Sequence, residues 1–163
     1  TEDYELELVN AFETRRLQIT DRMVDHVLRQ MEQQRDFRNL HEIFQDVMDR
    51  ALEIGFTEEQ KHRLIDLLEL RKEQVRREKL EESIRALTKI QDVQELRDYW
   101  DSVKGYLLRN RPYLGSEFEN LIAKRFDETM VALEERDDGT RGLSHTLPES
   151  REGEQGEDEG DEN

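Results

Sequence analysis

One glutamate–histidine pair has the spacing that metal-binding helical proteins use. Glu59 and His62 are three residues apart, so both side chains would face the same side of a helix, as in the Glu-x-x-His pairs of di-iron bundles. Such a centre needs two pairs and two further carboxylates. None of the other histidines has a glutamate three residues before it: His26, His41 and His145. The sequence therefore predicts neither a metal centre nor a bound cofactor.

No other group of residues has the pattern of a catalytic site. A nucleophile needs a Ser, Thr or Cys held beside a base, but the chain has no Cys, and its histidines are scattered along polar segments. A glycine-rich phosphate loop is absent as well. We therefore expect a protein that is not an enzyme. The absence of Cys also removes disulfides, which fits a reducing compartment.

Residues 98–115, DYWDSVKGYLLRNRPYLG, combine aromatic and basic side chains in an acidic chain. They include the one Trp of the sequence and three of its four Tyr. Two interpretations stay open: the segment is the turn of a helical hairpin, or it is a surface for a protein or an anionic partner. The candidate partner-binding residues are Tyr99, Lys104, Tyr106, Arg109, Arg111 and Tyr113. We expect Tyr99 and Tyr106 at the edge of the helix seam, and Lys104, Arg109, Arg111 and Tyr113 together at one tip of the bundle.

A second candidate surface is the run RKEQVRREK, residues 71–79. At about 100° per residue, Lys72, Arg76 and Lys79 fall on one face of a helix and form a secondary basic patch. Glutamates three or four residues away can pair with these cations. The sequence therefore favours a salt-bridged helix surface over a track for nucleic-acid phosphates.

The net charge of −16 is concentrated at the C-terminal end. Residues 134–163 hold 12 acidic side chains and three Arg. Large apolar residues are so few beyond residue 136 that we predict a disordered acidic tail over 137–163. Such a tail keeps the protein soluble, binds a basic partner, or folds back on the basic patches. The body that precedes it is only mildly acidic, so its charge does not exclude nucleic acid.

Residues 1–136 are typical of one all-α domain, because Gly and Pro are almost absent and apolar residues recur every three or four positions. Five helices are predicted, at about 2–33, 36–54, 58–88, 92–110 and 116–136, packed as antiparallel helical hairpins. In the second helix, Leu52 widens the apolar stripe that begins at Phe37. The stripe predicted to face the core in the first helix is Leu8, Phe12, Ile19, Met23, Val27 and Met31.

Capping residues set most of these helix boundaries. Asp36, Thr57 and Asp92 stand at N-cap positions, and Gly55 suits the left-handed conformation that often ends a helix. The segment RNRPYLG, residues 109–115, is predicted to end the fourth helix, because the ring of Pro112 opposes its continuation.

The sequence also contains a possible internal repeat. A shift of 56 residues aligns apolar positions of the second helix with those of the fourth, for example Leu40 with Leu96 and Val47 with Val103. An internal duplication and two merely similar helical hairpins both explain this alignment, so both stay open.

These observations predict a non-catalytic helical protein–protein interaction module, such as an adaptor, assembly factor or regulatory subunit, located in the cytoplasm. The third helix would be about 45 Å long, and a homodimer would help to bury it. The alternative is a nucleic-acid-associated helical subunit that uses the basic patches, with the acidic tail as modulator. No apolar run approaches the roughly 18 residues that cross a bilayer, so we expect no membrane partner.

Overall fold

The computed structural model describes the backbone of residues 1–144 and the side chains of residues 1–139. This part of the chain contains five α-helices and no strand: α1 (Glu2–Glu32), α2 (Phe37–Asp49), α3 (Ala51–Ile54), α4 (Glu58–Lys89) and α5 (Val93–Ser144). The prediction of an all-α protein is confirmed. The predicted second helix is interrupted at Arg50, whose backbone leaves the helical conformation between α2 and α3.

The helix starts follow the predicted capping residues. Asp36 accepts a hydrogen bond from the backbone N–H of Asn39 (2.9 Å), and Asp92 accepts one from Glu95 (2.8 Å). At the start of α4, Thr57 and Gln60 bond to each other's backbone N–H and complete a capping box. Gly55 closes α3 with φ 85°, a conformation that side chains with a Cβ rarely adopt.

The helices form two stacked units that share α4. Each unit has three main helical segments, with α2 and the one-turn helix α3 together forming one of them in the first unit. The first unit packs the C-terminal half of α1, then α2 and α3, around the N-terminal half of α4. Gln60 of α4 bonds to Thr20 of α1, and Arg71 bonds to Gln34, so α1 and α4 run in the same direction. The core of this unit consists of Val24, Met31, Leu40, Val47, Ala51, Phe56, Leu64 and Leu68.

The second unit packs both halves of α5 against the C-terminal half of α4. The chain reverses at Gly115 (φ 76°, ψ 160°), so residues 93–114 descend along α4 and residues 116–144 return. The core next to the first unit is formed by Phe37, Val75, Val103, Leu107, Leu114, Phe118 and Ile122. The far end is closed by Leu87, Ile90, Leu96 and Leu133.

The two units are alike in build, which bears on the possible repeat. Leu40 and Leu96 are both fully buried, and Val47 and Val103 are equally buried. The first helices of the two units follow the same shift of 56 residues, since Met31 of α1 corresponds to Leu87 of α4 and both are buried. An internal duplication and two merely similar hairpins both remain open.

The predicted end of the fourth helix before Pro112 is wrong. The helix continues through Pro112 to residue 114 and breaks only at Gly115. Pro112 is exposed, so the backbone carbonyl of Leu108, which loses its donor, is left to water. The gain is burial of Leu114, which is 3% exposed one helical turn beyond the expected end.

The last helix also extends past its predicted end at residue 136. The backbone of residues 137–144 is helical, so the predicted tail does not begin at residue 137. Adding residues to an existing helix is far less costly than starting one, which allows α5 to continue beyond residue 136. The rest of the predicted tail, residues 145–163, lies outside the described residues.

The prediction that α1 buries one continuous stripe is also wrong. Every residue from 1 to 19 is exposed, including Leu8 and Phe12, which are both 67% exposed. The reason is geometric: the first unit ends near the level of Thr20, where Gln60 lies, and before that point the Arg16 guanidinium reaches Gly55 but no side chain of α1 is buried. Leu52, predicted to face the core, is 93% exposed on the one-turn helix α3.

Candidate interaction surfaces

Tyr113 lies at the junction of the two units and not at a tip of the bundle. Its ring stacks on Phe37, with ring centres 5.7 Å apart and planes 10° apart, and it also contacts His41 at 5.6 Å. The expected position at a tip is therefore wrong, because the helix continues through Pro112 and carries this segment to the first unit. Tyr113 here joins α5 to α2.

Tyr106 and Lys79 bring the two predicted surfaces together. Lys79 lies over the Tyr106 ring, with its Nζ 4.6 Å from the ring centre, in a cation–π contact. Burial of the hydroxyl, with the carboxylates of Asp36 and Glu82 nearby, raises the pKa of Tyr106 to about 12. The hydroxyl therefore stays protonated at neutral pH and does not act as a base.

The other candidates from the aromatic–basic segment have neighbours within α5. Lys104 pairs with Asp101 (2.8 Å), and Arg111 pairs with Glu119 across the Gly115 bend (3.2 Å). The exposed Arg109 guanidinium lies beside Gly105, one helical turn away. Tyr99 is half-buried between the two cores of the second unit. Only Lys104, Arg109 and Arg111 of the six candidates are left exposed to solvent.

The secondary basic patch is neutralised by its own helix. Lys72 pairs with Glu69 (3.0 Å), Arg76 with Glu73 (2.9 Å) and Lys79 with Glu82 (3.6 Å). Arg71, from the same run, turns inward and donates to the backbone carbonyl of Gln34 at the end of α1 (2.9 Å). The pairing supports the salt-bridged surface and leaves little cationic charge to attract phosphates.

Glu59 and His62, the pair with metal-site spacing, are both exposed near the start of α4. The His62 ring lies against its own helix, with Nδ1 2.9 Å from the backbone carbonyl of Glu58. Over the described residues, no three His, Asp or Glu side chains converge on a point that could hold a metal ion.

The exposed large apolar residues are concentrated on α1, on a stripe that the sequence assigned to the core and not to binding. We call it the α1 apolar face: Tyr4, Leu8, Phe12, Ile19 and Met23, all between 40% and 74% exposed. A signal for it was present. Residues 4–19 also carry apolar side chains on a second side of the helix, at Leu6, Val9 and Leu17, which is more than one stripe of a three-helix unit can bury.

The α1 apolar face continues into a groove beside the first unit. The groove has a volume of about 620 Å³ and lies between α1 and the C-terminal half of α2 with α3. Ile19 and Met23 belong to both surfaces, and Ile43, Val47 and Ile54 form the opposite wall. Arg22, His26, Asp46 and Arg50 line the groove as well. An amphipathic helix is the kind of ligand that such a groove accepts.

Comparison with known proteins assigns no role to these surfaces. The chain matches no protein-family model, no curated protein and no solved structure. Within residues 1–144, none of the helices has the length and apolar character needed to cross a membrane.

Proposed function

We propose that this protein is a non-catalytic interaction module, an adaptor, assembly factor or regulatory subunit, that binds a protein partner through the α1 apolar face and the adjoining groove. The observation that carries the proposal is the exposure of this face on a helix that projects from its own domain. Large contiguous apolar patches on soluble proteins mark interaction sites. A cytoplasmic location is part of the same proposal, on the basis of a sequence without Cys.

The energetics favour a protein partner. Burial of one large apolar side chain contributes about 1.5–3 kcal/mol, and the α1 apolar face offers five of them in a row. Residues 1–19 continue α1 without burying a side chain, so they are held helical by local hydrogen bonds and not by packing. A partner that covers this face therefore gains apolar burial and stabilises the projecting segment at the same time.

The residues first singled out for partner binding have a smaller part in this proposal. Tyr99, Tyr106 and Tyr113 pack within the molecule, and the basic patch of Lys72, Arg76 and Lys79 is paired with glutamates. The exposed side chains of Lys104, Arg109 and Arg111 remain available for a secondary contact. Because Lys72, Arg76 and Lys79 are already paired with glutamates, the nucleic-acid alternative gains no added support.

A photo-crosslinking amino acid tests the proposal when it replaces Phe12 in the full chain. We expect protein adducts, identified by mass spectrometry, that disappear when Leu8→Asp is introduced into the same chain. The matched control places the crosslinker at Leu52, an apolar position outside the face that is 93% exposed against 67% for Phe12. Adducts of the same identity and yield from both positions, or none from Phe12, would contradict the proposal.

A further inference from the structure

We infer that the partner of the α1 apolar face is a second copy of this chain. Two α1 helices pair antiparallel, and the projecting segment of each copy, residues 1–19, lies in the groove of the other. This inference rests on the proposed function, because it names the partner for the same surface. It makes each projecting segment the fourth helix of the other copy's first unit.

The spacing of the apolar residues on α1 is symmetric. Tyr4 and Val27, Leu8 and Met23, and Phe12 and Ile19 are three pairs whose midpoints all fall between residues 15 and 16. A two-fold symmetric dimer uses the same patch on both copies, so the patch must be self-complementary. An antiparallel pair of α1 helices centred at that point brings each residue beside the other member of its pair.

The pattern also keeps to one side of the helix. At about 100° per residue, Leu8, Phe12, Ile19 and Met23 fall within about 60° of the helix circumference. With a rise of about 1.5 Å per residue, the stretch from Tyr4 to Val27 is about 35 Å long. Tyr4 and Val27 widen this band to about 140°, which is the width of an apolar stripe that packs against a neighbouring helix.

The antiparallel register centred between residues 15 and 16 places the projecting segment of one copy in the groove of the other. Phe12 of one copy lies level with Ile19 of the other, Leu8 with Met23, and Tyr4 with Val27. All three partner positions line the groove, whose opposite wall is supplied by α2 and α3. The incoming helix therefore contacts two walls, not a single helix face. Specific interfaces engage roughly 20–30 residues per partner, about what segment and groove supply together.

The charges of the segment and the groove are complementary. Residues 2–13 carry five acidic side chains and no Lys or Arg: Glu2, Asp3, Glu5, Glu7 and Glu13. At about 100° per residue, Glu5 falls on the α1 apolar face and Glu2 beside it, whereas Asp3 and Glu7 fall on the opposite side of the helix. The charged residues that line the groove are Arg22, Arg50 and Asp46, and Arg50 already pairs with Asp46 at 2.9 Å, which leaves Arg22 to face the incoming carboxylates. Arg22 has no ion-pair partner among the described residues. Opposite charges of this kind speed encounter and select the partner.

The centre of the pair holds like charges. Arg15 and Arg16 of both copies come together near the two-fold axis. Glu13 of the same helix pairs with Arg16 at 3.0 Å, which offsets one of the two positions. Both side chains are long enough to carry their charges into water.

Sedimentation equilibrium of the full chain is the first test. We expect a species of twice the 19.6 kDa chain mass, and we expect Phe12→Asp to raise the dimer dissociation constant by about 30-fold or more. Phe12 is 67% exposed and belongs to none of the hydrophobic cores of the described residues, so the variant should keep its helical circular dichroism. The control Leu52→Asp should remain a dimer. A monomer across the micromolar range, or a dimer that Phe12→Asp leaves intact, would overturn the inference.

Cysteine pairing tests the antiparallel register, because the chain has no Cys of its own. Phe12→Cys mixed with Ile19→Cys should form a disulfide-linked heterodimer under mild oxidation. Neither variant should crosslink efficiently alone, because its two thiols would be about 10 Å apart along the axis, beyond disulfide reach. Efficient crosslinking of Phe12→Cys with itself, or no heterodimer, would contradict the antiparallel pairing.

The two tests separate this inference from the proposed function. A monomeric chain whose Phe12 position still crosslinks to a different protein would refute self-pairing and leave the interaction module in place. A monomeric chain with no Phe12 adduct would refute both. A dimer with the expected disulfide supports both at once.

Discussion

Gln60 shows how one polar side chain can hold a helix start and a helix pair together. Its carbonyl oxygen accepts from the backbone N–H of Thr57 at 3.0 Å. Its amide nitrogen donates to the Thr20 hydroxyl at 3.0 Å and to the Asp21 carboxylate at 2.7 Å. Gln60 is 2% exposed, so water cannot replace these partners. One residue therefore closes the capping box of α4 and ties α4 to α1.

We expect Gln60→Leu to lower the free energy of unfolding by about 1–3 kcal/mol, because it leaves the partners of Gln60 without their hydrogen bonds in a buried site. Urea denaturation followed by circular dichroism measures the change. The control is Gln45→Leu, since Gln45 bonds to Asp49 on an exposed surface. The control should change stability by no more than about 0.5 kcal/mol. Equal losses in the two variants would contradict this account.

The raised pKa of Tyr106 predicts a loss of stability at alkaline pH. The unfolded chain releases the phenol proton near pH 10, whereas burial and the carboxylates of Asp36 and Glu82 raise the pKa of Tyr106 to about 12 in the folded protein. Between these values the unfolded state binds fewer protons. The free energy of unfolding therefore falls as the pH rises from about 10 to about 12.

Ultraviolet absorbance of the phenolate measures this titration. We expect a transition near pH 12 that Tyr106→Phe removes and that Tyr4→Phe, on the exposed part of α1, leaves in place. The fall in stability over the same pH range should be smaller in Tyr106→Phe. A transition that survives Tyr106→Phe would assign the shift to another tyrosine.

At the scale of elements, Gly115 turns one continuous helix into a hairpin. Its backbone angles, φ 76° and ψ 160°, lie in a region that is nearly restricted to glycine. An added Cβ would meet no other atom within 4 Å. Glycine is therefore required here for its backbone conformation, and not because a larger side chain would clash with a neighbour.

Gly115→Ala should destabilise the protein by about 1–3 kcal/mol, the usual cost of such a conformation for a residue with a Cβ. Gly105→Ala is the matched control, because Gly105 lies inside the same helix and its Cβ would meet only the flexible Arg109 guanidinium. There the substitution should stabilise the protein by about 0.5–1 kcal/mol. Thermal or urea unfolding distinguishes the two signs, and a stabilising Gly115→Ala would refute the bend.

The same element shows where sequence reasoning fails. A proline inside a helical pattern is a sound signal for a helix end, since its ring removes a donor and opposes the preceding turn. Here that cost is outweighed by the burial of Leu114 and the stacking of Tyr113 on Phe37. Both contacts join residues about 75 positions apart or depend on α4, so no local pattern around Pro112 contains them.

At the scale of the whole molecule, α4 is the element that both units share. Its residues Leu64 and Leu68 belong to the core of the first unit, and Val75 and Leu87 belong to the cores of the second. The prediction that α4 is too long for a small bundle is resolved by this stacking, because α1, α2 and α5 cover it in turn. The projecting helix is α1 instead.

Because α4 is continuous, the two units should unfold together, and Arg77→Pro should uncouple them. Arg77 is exposed near the junction, and a proline there breaks the helix at a cost of about 3 kcal/mol or more without touching either core. Fluorescence of Trp100, the one Trp of the chain, reports the second unit, whereas circular dichroism reports both.

We expect the fluorescence and circular dichroism transitions in urea to coincide in the starting protein and to separate in Arg77→Pro. The variants are compared in the Phe12→Asp background, so that pairing of copies does not contribute. The control Arg77→Ala should keep coincident transitions. Coincident transitions in Arg77→Pro would show that contacts such as Phe37–Tyr113 couple the units without an intact α4.

The sequence by itself determined the helical class and most helix boundaries. Asp36, Thr57, Gly55 and Asp92 mark real helix ends, because a cap is made by residues within four positions of one another. The seams at Leu40, Val47, Leu96 and Val103 are buried as their spacing indicates. These features depend on local geometry, which the order of residues contains in full.

Only the tertiary structure decided which apolar stripes are covered. Leu8 and Phe12 are four residues apart and Val24 and Met31 are seven apart, and both spacings keep a pair on one side of a helix, yet the first pair is exposed and the second is fully buried. Periodicity predicts that an apolar stripe packs against another apolar surface, but it does not predict whether that surface belongs to the same chain. The positions along α1 at which α2 ends and α4 begins leave the first 19 residues of α1 uncovered. Those positions are set by the other helices, so no pattern within α1 predicts them.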